Sequence, residues 1–77
     1  MQFYFTKSAS GYIAAFETDQ AETIDLLMYD VRGRIVFQKK IHLASGDSSF
    51  DLTAPGKGIY LVTIKGNFTS HSEKLLF

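Results

Sequence analysis

The chain has no cysteine, no tryptophan, one proline and two histidines among its 77 residues. Without cysteine there is no disulfide scaffold, no thiolate metal site and no cysteine nucleophile. This bears on stability, because a domain of this size buries only about 60% of the surface its unfolded chain exposes and must fold without covalent staples. An excess of charge of one sign is also lacking. Eight basic side chains balance eight acidic ones, so the chain as a whole exerts no field that would gather nucleic acid or an anionic membrane. Long apolar runs are missing. The longest, Tyr12–Phe16, is five residues, and Ile59–Val62 is four, far below the ~20 needed to span a membrane. The first residues do not carry the charged-then-apolar pattern of a secretory leader.

What is present is a dense and periodic apolar content. Hydrophobic residues make up 45% of the chain, a level found in globular domains and too high for a disordered tail. Seven extended segments are predicted from period-two alternation and from enrichment in β-branched and aromatic residues. Gln2–Lys7 carries Phe3, Tyr4 and Phe5, and Tyr12–Thr18 carries Ile13 and Phe16. Thr23–Asp30 places Ile24, Leu26 and Met28 on one face. Arg34–Leu43 places Ile35, Phe37, Ile41 and Leu43 on one face, with Lys39 as the exception. Ser48–Thr53 turns Phe50 and Leu52 inward. Ile59–Lys65 is apolar on both faces through Val62, the pattern of a central strand, and Phe68–Phe77 is polar early and apolar at its end.

The breaks between these segments carry turn chemistry. Ser8–Gly11 and Asp30–Gly33 each end in glycine, which accepts a positive φ. The Asp30 carboxylate can accept a bond from the backbone two residues on, so Asp30–Gly33 reads as a tight hairpin. Ala44–Asp47 reads as a loop, and Gly66–Asn67 as a two-residue hairpin. Short strands about ten residues apart, joined mainly by hairpins, indicate an antiparallel β-sandwich or barrel. The 77 residues form one domain, with residues 1–10 either a linker or a first edge strand.

Catalytic chemistry finds little support. His42 lies among polar residues on an outward face and His71 in the polar early half of the last strand, where a solvated or structural histidine is the simpler reading. No set of three or four ligands has metal-site spacing, so no metal and no cofactor are expected. There is no nucleophile elbow. Gly56-Lys57-Gly58 precedes a strand rather than a helix and lacks the rest of a phosphate loop. Asn67-Phe68-Thr69 matches the N-glycosylation acceptor pattern, but an asparagine at a hairpin tip has its own structural reason. The aromatics Phe3, Tyr4 and Phe5 fit either a sugar-stacking surface or, better, a small core that leans on large side chains. The chain is not expected to be an enzyme.

Three elements stand in order: Ile24–Val36, containing Tyr29-Asp30-Val31-Arg32-Gly33; Phe50–Ile64, containing Pro55-Gly56-Lys57-Gly58-Ile59-Tyr60; and Lys74-Leu75-Leu76-Phe77. Together they closely resemble the type A C-terminal sorting domain of the type IX secretion system, over roughly residues 23–77. In that family a strand ending in an aromatic and Asp or Asn turns on glycine, a Leu-turn-Pro-x-x-Gly-x-Tyr stretch follows, and the protein ends on a strand with a lysine and a few apolar residues. Members often open with an aromatic-Pro-Asn-Pro segment, which Gln2–Lys7 lacks.

The resemblance implies a seven-stranded, mainly antiparallel, immunoglobulin-like β-sandwich at the end of an exported protein. It implies a non-catalytic signal that directs an upstream cargo, in cis, across the outer membrane of a Gram-negative cell. The cargo passes through the periplasm and reaches the cell surface or the medium. The implied partners are the outer-membrane type IX machinery and a sortase-like peptidase that usually removes the domain. The implied sorting motif is Tyr29, Asp30, Gly33, Pro55, Gly58, Tyr60, Lys74, Leu75, Leu76 and Phe77. On physical grounds Gly33 and Gly58 are expected at backbone positions where a Cβ would be strained, and Tyr60 is expected to be a corner tyrosine. Lys74 either guards a sheet edge or meets the export machinery. Leu75, Leu76 and Phe77 are expected to seal the core. An open strand edge also allows pairing with a second copy. The competing reading is a fibronectin- or immunoglobulin-like adhesion or carbohydrate-binding module.

Overall fold

The computed structural model describes residues 1–67 and 69–77. Phe68 lies outside the described residues, and with it the predicted start of the last strand and the middle of the Asn67-Phe68-Thr69 pattern. Among the described residues seven strands follow in order: β1 (Gln2–Ser8), β2 (Gly11–Thr18), β3 (Glu22–Tyr29), β4 (Ile35–Leu43), β5 (Gly46–Leu52), β6 (Ile59–Lys65) and β7 (Ser70–Leu76). They form two antiparallel sheets, one of order β1-β2-β5 and one of order β4-β3-β6-β7. The chain crosses between the sheets after β2, after β4 and after β5. The fold is an all-β sandwich, as the alternation predicts. Segment 2–8 is an edge strand paired with β2 along its whole length.

The core follows from the alternation. Ala14 and Phe16 of β2 and Leu52 of β5 face Ile24, Leu26 and Met28 of β3, Tyr60, Val62 and Ile64 of β6, and Leu75 of β7. Phe3, Phe5 and Phe50 pack against this cluster from its margins, and the Phe16 and Phe50 rings stack 5.9 Å apart. Of the three N-terminal aromatics, Tyr4 alone faces solvent, so they make no common stacking platform. β6 lies between β3 and β7; Tyr60, Val62 and Ile64 on its inner face are buried, while Ile59 and Leu61 on its other face are exposed.

Three local expectations are corrected. Ile35 does not share a face with Phe37. A bulge sets Tyr29 opposite Ile35 and Met28 opposite Phe37, so Val36 is the extra residue and the facing parity inverts. Ile35 therefore turns outward and is 51% exposed. The β6–β7 connection is longer than two residues, because Lys65 pairs with Ser70 and the Gly66 amide donates to the Thr69 carbonyl at 2.7 Å. Finally, β5 begins at Gly46, so part of the predicted 44–47 loop is strand.

Each sheet has two open edges, and three of the four carry a charge on the inner face. The register places Lys39 of β4 opposite Leu26, Glu73 of β7 opposite Val62, and Lys7 of β1 on the side of Phe3 and Phe5. An inward charge at an edge opposes the addition of another strand. This accounts for the Lys39 exception in the pattern of β4. Its neighbour Lys40 faces the other way and pairs with Asp25 at 3.5 Å.

Candidate recognition site

The β3–β4 hairpin is organised by one carboxylate. Asp30 Oδ1 accepts from the amides of Arg32 and Arg34 at 2.9 and 3.0 Å, and Oδ2 accepts from Arg34 Nε at 3.0 Å. The Gly33 amide donates to the Asp30 carbonyl at 3.0 Å, and Gly33 has φ +82°, where a Cβ would be strained. The amide of Arg34 is the largest influence and, with the Arg32 amide and the Arg34 guanidinium, holds the Asp30 carboxyl below its ordinary value of 3.8, outweighing the desolvation that pushes it up. A carboxyl depressed by folding stabilises the fold fully above its unfolded value and loses that contribution as pH falls through its folded value. The Tm gap between the wild type and Asp30→Ala is therefore expected to close as pH falls below 3.8. A gap that persists unchanged into strong acid would show that the charge is not what holds the turn.

Tyr29 ends β3 on the outer face of the four-stranded sheet. Its neighbours across the ladder are Ile35 on β4 and Leu61 on β6, and Leu61 in turn faces Lys74 on β7. The turn at Val31 and Gly33 overhangs this row, and the two together enclose an open groove of about 670 Å³ lined also by Asp30 and Ile59. Tyr29, Asp30, Gly33 and Lys74 are thus brought together on one surface although 45 positions separate the first from the last in sequence.

The other motif residues form a clasp at the same end of the sandwich. Gly58 and Phe77 exchange both backbone bonds, at 3.1 and 2.8 Å. The Phe77 ring meets Tyr60 edge-on at 5.5 Å and Tyr12 at 5.0 Å. Tyr12 Oη and Lys7 Nζ donate to the Leu76 carbonyl at 3.0 and 3.3 Å. Side chains of the three-stranded sheet therefore hold the last strand of the four-stranded one. Tyr60 is a corner tyrosine: its ring is buried and its hydroxyl donates to the Gly56 carbonyl at 3.1 Å. Tyr60→Phe is expected to cost about 1 kcal/mol, the net worth of one such bond, read as a modest fall in Tm; an unchanged Tm would remove the bond from the account.

Of Leu75, Leu76 and Phe77, only Leu75 is fully inside. Adjacent strand residues cannot share a face, so Leu76 points outward beside Ile59 and is 57% exposed. Phe77 is half-buried, and Pro55 sits exposed in the corner between β5 and β6. Sequence reasoning missed Tyr12 and Lys7 of the clasp, which no local pattern marks. It also missed the groove residues Ile59 and Leu61, whose signal was the two-faced apolarity of β6. His42 and His71 are both exposed; His42 Nδ1 lies 2.9 Å from Thr23 Oγ1, and the His71 ring packs on Phe3 at 4.7 Å.

The chain is a small two-sheet sandwich in which a surface groove and a strand clasp adjoin at one end. A family model, the secretion system C-terminal sorting domain, matches residues 9–77. The chain belongs to that family, the C-terminal sorting signals of type IX secretion. No curated protein matches it. Membership makes the chain a signal for export to the cell surface or the medium, acting with the type IX system on cargo in cis.

Proposed function

We propose that the folded domain, residues 1–77 as one unit, is read by the outer-membrane type IX machinery after its cargo has reached the periplasm of a Gram-negative cell. A sortase-like peptidase then separates it from the cargo. The domain is the substrate in that step and contributes no catalytic group. The observation that carries this reading is the family match across 9–77, in which the motif residues lie on two adjoining features of the fold. Tyr29, Asp30, Gly33 and Lys74 supply the surface. Gly58, Tyr60, Leu75 and Phe77 hold β7 in place, with Pro55 fixing the corner before them and Leu76 outward beside the groove. A second copy of the domain adds at β5, the edge strand whose inner face carries Ser48, Phe50 and Leu52 and no charge.

The test is a reporter carrying residues 1–77 at its C-terminus in a cell that secretes by this route. Export of the reporter with the domain, retention without it, and recovery of the exported reporter without the domain's mass support the reading. Inactivating the peptidase should leave the domain attached. Equal export with and without the domain would refute it.

A further inference from the structure

The outer face of the four-stranded sheet is divided in character. At one end the cross-strand row Lys40, Asp25, Lys65 and Ser70 is polar. At the other, the row Ile35, Tyr29, Leu61 and Lys74 crosses all four strands, with Ile59 and Leu76 paired beside it. Among the described residues, five of the seven large apolar side chains that face solvent lie on this end or on its bordering turn: Val31, Ile35, Ile59, Leu61 and Leu76. Val31 is 81% exposed. Single exposed apolar residues are ordinary, but a contiguous group on so small a domain marks an interaction surface.

The charge of this surface is one-sided although the chain's net charge is zero. Asp30, the carboxylate that lines the groove, is already engaged by Arg34 and by the amides of the turn. Lys74, which also lines it, makes no ion pair among the described residues. Arg32 lies exposed in the bordering turn. The groove therefore offers an apolar floor under unanswered positive charge.

The geometry points to this groove as the docking surface for a protein partner that presents a carboxylate beside an apolar side chain. The apolar group fills the space between Val31 and Leu61, and the carboxylate meets Lys74 Nζ. The inference rests on the sorting-signal reading and assigns the surface by which the export machinery reads the fold. Charge complementarity selects this occupant. A two-fold contact with a second copy would join two patches of the same sign with no free carboxylate to answer them. A lipid surface calls for a protruding apolar wedge or a cluster of several cations, whereas here the apolar side chains line a concave groove.

The experiment uses the same C-terminal reporter fusion with surface variants. Lys74→Glu and Leu61→Asp are each expected to lower export about tenfold or more, the scale of losing one partner of an interfacial charge pair. Lys74→Arg should export normally. So should Thr6→Asp, on the outer face of the three-stranded sheet. Melting curves of the purified domain must show each variant folded. If the unmodified domain fails to export the reporter, the sorting reading falls and this inference with it. If the unmodified domain exports and folded Lys74→Glu and Leu61→Asp export equally well, the groove assignment alone is wrong. Sedimentation and vesicle flotation test the other occupants. A dimer abolished by Leu61→Asp, or binding to phosphatidylglycerol-containing vesicles abolished by Lys74→Glu, would overturn the assignment to a protein partner.

Discussion

Removing Lys74–Phe77 is expected to unfold the domain and to abolish export of any cargo fused ahead of it. The deletion takes away Leu75, which is buried against the core, and Phe77, whose ring sits between Tyr12 and Tyr60. It also strips Gly58 of both backbone partners and leaves Tyr12 Oη and Lys7 Nζ without the Leu76 carbonyl. Truncating one buried leucine costs about 2–5 kcal/mol, and the half-buried Phe77 ring adds part of the about 3–5 kcal/mol that a fully buried phenylalanine is worth. Domains of this length have only about 4–12 kcal/mol of stability in total, so the combined loss is comparable with the whole margin. Circular dichroism should show no cooperative melt, and the reporter should stay in the cell. A truncated domain that melts cooperatively near the wild-type Tm, or that still exports its cargo, would contradict the role given to β7.

Gly58→Val is expected to destabilise the domain by about 1–3 kcal/mol, the cost of holding a non-glycine residue in a sparsely allowed backbone region. For a domain of this size that corresponds to a fall in Tm of roughly 5–20 °C. Gly58 has φ +147°, and its amide and carbonyl are both committed to Phe77, so the backbone cannot relax without opening the clasp. Space is not the obstacle, because the nearest atom to an added Cβ is Tyr60 Cε2 at 3.8 Å. The penalty is conformational and should appear with alanine as well as with valine. An unchanged melting curve for both variants would show that Gly58 carries no strain.

The strands and the core were legible because both rest on local alternation. Ile24, Leu26 and Met28 at period two on β3 mark a half-buried strand wherever it lies, and the structure buries all three completely. The same rule misled at Ile35, because a bulge shifts parity without leaving a mark in composition. At Leu76 apolar character does not mean burial, because the neighbour Leu75 occupies the inner face and alternation turns Leu76 outward. The hairpin at Asp30–Gly33 was legible because aspartate and glycine each contribute a specific local bond or dihedral. The clasp was not. Tyr12 and Leu76 are 64 residues apart, and their bond depends on the relative placement of two sheets, which strand patterns do not encode. The groove was half legible: Tyr29, Asp30, Gly33 and Lys74 were singled out one by one, while their convergence depends on β6 lying between β3 and β7.

The central claim is that the sorting signal is a closed two-sheet object whose last strand is held as firmly as its core, and not a linear tail on a folded body. Amide hydrogen exchange of the 77-residue chain, followed by NMR, tests it most directly. The amides of Leu75 and Phe77 should exchange as slowly as that of Val62 in the middle of β6, since all three then open only with global unfolding. Exchange of the Leu75 and Phe77 amides at unprotected rates, with Val62 still protected, would contradict the account.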